Sequence, residues 1–338
     1  MKAAVVLAPG TLRVMEVPDP VPGDYDALCD VLLGTTCTGT DHHIVNGTFP
    51  WPISYPTILG HESVGRVIAC GPKVRNLRVG DLVTRVGLPR QDDLSTTWGG
   101  FAERALARDH VAMSEDGVAR VEWDEARVHQ VVPPGIAPRA ATLFITWRET
   151  LSYARRLGVR DSSSVLVIGS GANALAFACH AIRLGGHVVV IGNPRRAALF
   201  RSVGVASFID YRRDSSPGVA GDLDIIIDAV GSSVTIDQFL GDLRIDGVVG
   251  IYGLDDRAGS AIHPALARGS FRYYGGGYDE AETHQDVIQL AESGSLDPEL
   301  WLGSRPPHPL DDIESALRSA TGDDVLKSLV TLQPTSTS

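Results

Sequence analysis

Gly169-Ser170-Gly171-Ala172-Asn173-Ala174 has the spacing G-x-G-x-x-G/A of a phosphate-binding turn. Gly169 permits the tight turn, and Gly171 lets the backbone approach a pyrophosphate. Ala174 is small enough for a helix to pack on the strand before it. Ala172 and Asn173 complete the turn, and the N-terminus of the following helix faces the phosphate charge. A dinucleotide is the ligand such a turn suits. NAD sites usually end the next strand with Asp or Glu, which binds the ribose hydroxyls. Here that region reads Ile191-Gly192-Asn193-Pro194-Arg195-Arg196, with two guanidinium groups and no carboxylate. Arg matches a phosphate dianion bidentately. NADP is therefore expected ahead of NAD, with Asn193, Arg195 and Arg196 as contacts.

The elements around this turn alternate. Val165 to Ile168 is a continuous apolar run, as for a strand buried on both faces. A helix follows from Ala174 to Leu184, then a strand from Val188 to Ile191 and a helix from Ala197 to Val203. Strands at 207–210, 225–228 and 248–251 and a helix from Val234 to Leu243 continue the pattern. Regular alternation of strand and helix predicts a doubly wound parallel sheet. The first third reads differently. Short apolar stretches such as 27–33 and 63–68 are separated by Gly, Pro and Asp, the look of a β-rich, barrel-like domain. Amphipathic helices at 280–293 and 310–321 and a short strand at 328–332 close the chain, with a loose tail expected from Thr335 to Ser338.

The bulk numbers set limits. At 338 residues the chain exceeds one ordinary core, so two domains are expected. A net charge of −11 argues against nucleic acid or an anionic membrane as partner. No apolar run is long enough to span a bilayer, and the N-terminus reads as a first strand, without the apolar core and cleavage site of a signal peptide. A cytoplasmic protein is the expectation. Cys29, Cys37, Cys70 and Cys179 form no C-x-x-C pair, and most are expected to be small core residues. Basic residues are nearly all Arg; Lys occurs only at 2, 73 and 327.

Thr40-Asp41-His42-His43-Ile44-Val45-Asn46-Gly47, Gly60-His61-Glu62-Ser63-Val64-Gly65-Arg66-Val67 and Gly80-Asp81-Leu82-Val83 occur in that order before the glycine turn. Over essentially the whole chain this order resembles the zinc-type medium-chain dehydrogenase/reductase superfamily, most of all its glucose dehydrogenase branch. The resemblance implies a GroES-like β-rich catalytic domain, 1–147 and 278–338, interrupted by a Rossmann cofactor domain, 148–277. It implies an alcohol–ketone oxidoreductase acting on a sugar, cyclitol or other small polyol, and a homodimer or homotetramer. In such enzymes a zinc ion polarises the substrate oxygen. Cys37, His61 and Glu62 supply the ligand chemistry zinc prefers.

Two departures from the family pattern bear on that metal. The family reads C-G-T/S-D, whereas this chain reads Cys37-Thr38-Gly39-Thr40-Asp41, so either Cys37 or Thr38 takes the cysteine position. Ile145 falls where the family carries a fourth ligand, and Glu149, about one helical turn later, is the substitute or an outer partner. The resemblance also implies that Thr40 takes the substrate proton and passes it through the cofactor ribose to His43. The family's four-cysteine lobe is absent from Gly87 to Gly99, so no structural zinc is expected and that loop should be mobile. Trp51, Trp98 and Trp147 are candidates for walls of a substrate cleft. The alternatives are a zinc-independent reductase of an activated C=O, C=C or C=N bond on the same scaffold, and an NADP-binding protein without catalysis.

Overall fold

The computed structural model describes residues 1–333 except 91–92, 213–221, 232, 256–260, 321 and 323–324. The expected tail, Thr335 to Ser338, lies outside the described residues. The chain divides into two compact units, Met1–Ile145 with Glu280–Ser338, and Thr146–Asp279.

The first unit is β-rich. One sheet has the order Thr11–Glu16, Lys2–Ala8, Thr57–Ile58, Ser95–Thr96. A second runs His308–Pro309, Leu329–Thr331, Asp26–Thr35, Ser63–Cys70, Leu82–Thr84, Val131–Val132, with Arg104–Arg108 also pairing with Asp26–Thr35. Alternating inward residues of these strands, Cys29, Val31, Val67 and Val83 among them, bury one core with Phe101 and Ile313. Register decides what meets at the end of the second sheet. Leu329 pairs with Thr35 and Gly34 pairs with Ser63. Residues just beyond these pairs, 35–37, 61–62 and 327, are thereby delivered to one spot from three adjacent strands.

The second unit holds a six-stranded sheet, in the order Ser207–Asp210, His187–Gly192, Ser164–Ile168, Leu223–Asp228, Leu243–Ile251, Phe271–Tyr274. Every pairing is parallel. Numbered along the chain the order is 3-2-1-4-5-6, that of the dinucleotide-binding fold. Val165, Leu166, Val167 and Ile168 are all buried, as the apolar run requires. The helix before this sheet is Phe144–Leu157. Val234 to Leu243 is not all helix: the helix is Ser233–Phe239, and Leu243 already belongs to the next strand.

Candidate active site

Three potential metal ligands converge in the first unit. One ligand atom each from Cys37, His61 and Glu62 lie within 4.8 Å of one another, and all three residues are buried. The cysteine ambiguity resolves in favour of Cys37: Thr38 is exposed, while Cys37 is 7% exposed. Gly60 makes the approach of His61 possible. Its φ is +105°, and a Cβ there would collide with the backbone nitrogen of Phe101.

Each donor is held by a second residue. Asp41, fully buried in the first turn of the helix Thr40–Asn46, accepts a hydrogen bond from the Cys37 backbone nitrogen at 2.8 Å. Its other oxygen stands 3.2 Å from His61 Nδ1, an ion contact without hydrogen-bond alignment. That leaves Nε2 on the Glu62 side, 3.7 Å from Oε1. Burial opposes the imidazolium, but the charges of Asp41 and Cys37 outweigh it and hold His61 at about 10.

Glu62 is gripped most tightly. Both its oxygens accept from Lys327 Nζ at 2.6 Å, and Oε2 also accepts from Thr35 Oγ1 at 2.6 Å. Lys327 is 1% exposed. Burial disfavours its ammonium, yet the Glu62 carboxylate beside it prevails and raises it above the ordinary lysine range. The cluster thus contains its own cation. Sequence reasoning missed Lys327 and Thr35. The one signal was compositional: in a chain whose bases are nearly all Arg, a Lys just before the apolar C-terminal strand is conspicuous.

Thr40 and His43 share the helix Thr40–Asn46, three residues apart and so on one face. His43 Nδ1 pairs with Thr48 Oγ1 at 2.8 Å, and His42 reaches the Leu317 carbonyl at 3.2 Å. Glu149 belongs to the other unit, where its Oε2 accepts from the Tyr252 hydroxyl at 2.7 Å. Ile145 is fully buried, as is Trp147, which therefore packs a core. Trp51 is half exposed, against Phe49. Trp98 is 40% exposed and lies on His61, ring centroids 5.2 Å apart. The loop carrying Trp98 is partly ordered by pairing, since Ser95–Thr96 joins the four-stranded sheet.

In the second unit the glycine turn lies between the strand Ser164–Ile168 and the helix Ala172–Arg183. Gly169 has φ +117°, which only glycine adopts without strain. Gly171 is the N-cap of the helix, and a Cβ there would meet nothing within 4 Å. An open space before a helix N-terminus fits a diphosphate. The turn and the end of the next strand are tied together: Asn193 N donates to Ser170 Oγ at 3.0 Å, and Arg196 Nη1 to the Ser170 carbonyl at 3.3 Å. Arg195 N donates to Asn193 Oδ1 at 3.1 Å. Asn193 and Arg196 are therefore brought against the glycine turn directly, and Arg195 beside them.

Residues 24–117 match the alcohol dehydrogenase GroES-like domain. A Mycobacterium tuberculosis protein named a probable zinc-binding alcohol dehydrogenase is 28% identical over 272 residues, 76% of this chain and 69% of that protein. Glucose 1-dehydrogenase 1 of Vulcanisaeta moutnovskia is 28% identical over 275 residues, 75% of this chain and 76% of that protein. Over about three quarters of its length the chain is similar to these zinc-type alcohol and glucose dehydrogenases. A crystal structure assigned as a zinc-binding dehydrogenase from Sinorhizobium meliloti, bound to NADP, shares this chain's fold. It superposes with a TM-score of 0.78 at 20% identity, covering 98% of each chain. The protein has a two-domain α/β fold, GroES-like and Rossmann, and is an oxidoreductase. Its relatives include alcohol and polyol dehydrogenases, which supports activity on small-molecule alcohols with a nicotinamide cofactor, and an acryloyl-coenzyme A reductase of Sulfurisphaera tokodaii, 27% identical over 317 residues, 88% of this chain and 91% of that protein. Among the described residues no helix is long and apolar enough to cross a membrane.

Proposed function

We propose that this protein is an NADP-preferring dehydrogenase that interconverts an alcohol and a carbonyl on a small sugar, cyclitol or other polyol, with a divalent metal, zinc by preference, at Cys37, His61 and Glu62. In this reading residues 146–279 form the cofactor domain and the β-rich unit is catalytic. The observation that carries it is the convergence of a thiol, an imidazole and a carboxylate within 4.8 Å in a buried pocket. Thiolate, imidazole and carboxylate are zinc's donor set. Asp41 facing Nδ1 supports binding through Nε2, since a carboxylate behind a ligating histidine fixes the ring. Such a metal supplies Lewis acidity toward the substrate oxygen.

The chain's own residues do the rest. Cys37 and His61 are the readiest donors; Glu62 has both oxygens engaged by Lys327 and contributes through the capacity that remains. Thr40 takes up the substrate hydroxyl proton and passes it on to His43, one turn on along the same helix, which returns it to solvent. Gly171 and the amides of residues 172–174 bind the pyrophosphate. Arg195 and Arg196 bind the 2′-phosphate, for which the absence of a carboxylate at Asn193 leaves room. The NADP found in the Sinorhizobium meliloti structure and the glucose dehydrogenase among the relatives support the cofactor and substrate class.

A second reading has its own observation. Lys327 already places a cation on Glu62, in the pocket, so a metal-independent reductase on this scaffold would have a built-in positive charge. Metal content of the purified enzyme, with turnover of a polyol panel under NADP and under NAD before and after chelation, separates the two. Activity lost on chelation and restored by zinc supports the first; metal-free protein with full activity overturns it in favour of the second.

A further inference from the structure

Two bulky residues hold backbone conformations that bulky residues avoid. Arg85 has φ +56° and Trp98 φ +65°. The other described non-glycine residues with positive φ are Ser162 and Asp246, small or polar types that tolerate it. Strain of this kind persists only where the surroundings over-determine it, and it gathers at functional sites. Here the surroundings are explicit. Leu88 N donates to the Trp98 carbonyl at 2.9 Å, and Gly87 is bare because a Cβ would collide with that carbonyl. Arg85 N donates to the Ser63 carbonyl at 2.7 Å, one residue past Glu62. The Arg85 side chain is 10% exposed and pairs with Glu280, 2% exposed; its guanidinium lies over the Trp98 ring, 5.5 Å from the centroid.

The series Glu280, Arg85, Trp98, His61 ends with an indole set on the imidazole of the candidate metal cluster. None of this serves burial, because Trp98 keeps 40% of its surface exposed. A molecule that reaches His61 must lie beside that indole. We propose that Trp98 is the specificity-determining residue of this enzyme, a platform that stacks the carbon skeleton of the alcohol next to His61. The proposal deepens the polyol reading above and rests on it. Glu280 pairs with the charge of Arg85, so the platform presents an aromatic face without a net cation. Its ligand is accordingly a neutral, polyhydroxylated ring, whose polarised C–H face packs on indole, and not a phosphorylated or carboxylated one.

The test compares the wild-type holoenzyme with Trp98→Ala and Trp98→Phe on two neutral substrates, a cyclitol or aldose and 2-propanol, and on the phosphate ester of the first. Stacking of this kind is worth roughly a factor of ten in affinity. We expect Trp98→Ala to raise KM for the ring substrate about tenfold with kcat within about twofold. The ratio of kcat/KM for ring over 2-propanol should fall by the same factor, and Trp98→Phe should recover most of it. The wild type should prefer the neutral ring to its phosphate ester. Ring turnover whose ratio to 2-propanol is unchanged in Trp98→Ala, a loss in kcat alone, or a preference for the ester overturns the platform and leaves the polyol reading standing. Turnover of 2-propanol but of no ring or polyol overturns the polyol reading and the platform with it.

Discussion

The two candidate sites are built from different materials. The site in the second unit is made of backbone: a glycine with φ +117°, a helix N-terminus capped by glycine and the space before it. The site in the first unit is made of buried, mutually charged side chains drawn from residues 35 to 327. A backbone site costs the fold little, because its amides belong to a helix that would form anyway. A side-chain site of this kind is stable only while its charges balance, because an unpaired buried ion is heavily penalised.

The sharpest challenge to that contrast is Lys327→Met. It leaves Glu62 buried without its counter-ion, and urea unfolding should show a loss of about 3–5 kcal/mol. Adding Glu62→Gln should return a large part of it; a full-length single variant as stable as wild type would remove the distinction. Among the buried ionisable groups of the second unit, His180 sharpens the comparison. His180 is fully buried in the helix Ala172–Arg183, and burial lowers it to about 3 against the opposing effect of the Trp147 backbone. Between about pH 6.5 and 3 the unfolded chain takes up a proton there that the native state refuses, so its contribution to stability is lost as pH falls below 6.5. His180→Leu should reduce the stability difference between pH 6.5 and pH 5 by about 2 kcal/mol, measured by the same titration at both pH values.

Smaller effects are expected where backbone does the binding. Gly171 has φ −84° and an open Cβ direction, so Gly171→Ala should melt like wild type while weakening NADPH about tenfold, roughly 1.4 kcal/mol, by calorimetry. A change in melting without a change in affinity would show that the turn is structural. Arg196 is partly exposed, and solvent screens it. Arg196→Ala should shift the NADPH-to-NADH preference by about fivefold, roughly 1 kcal/mol, with no effect on the metal content of the other unit.

The same contrast explains what could be read in advance. The parallel sheet and its glycine turn announce themselves because strand, turn and helix are contiguous, and each residue's job is local. Asn193 and Arg196 were legible for the same reason, lying at the next strand's end. The first unit's motif pointed to His61 and Glu62, but Cys37 and Thr38 are separated only by burial, and Lys327 is placed by the register of the strand that follows it. The partners of Glu62 come from sheet pairing, Leu329 with Thr35 and Gly34 with Ser63, which no short window contains. Glu149 reads in the sequence as a substitute ligand or an outer partner, and its Oε2 accepts from the Tyr252 hydroxyl.

Glu62 and Lys327 are separated by 265 residues. On the ribosome the carboxylate emerges long before its ammonium, and the whole nucleotide-binding unit is synthesised in between. Until the last strand arrives, Glu62 must stay hydrated or hold another cation, so the β-rich unit closes last although it begins first.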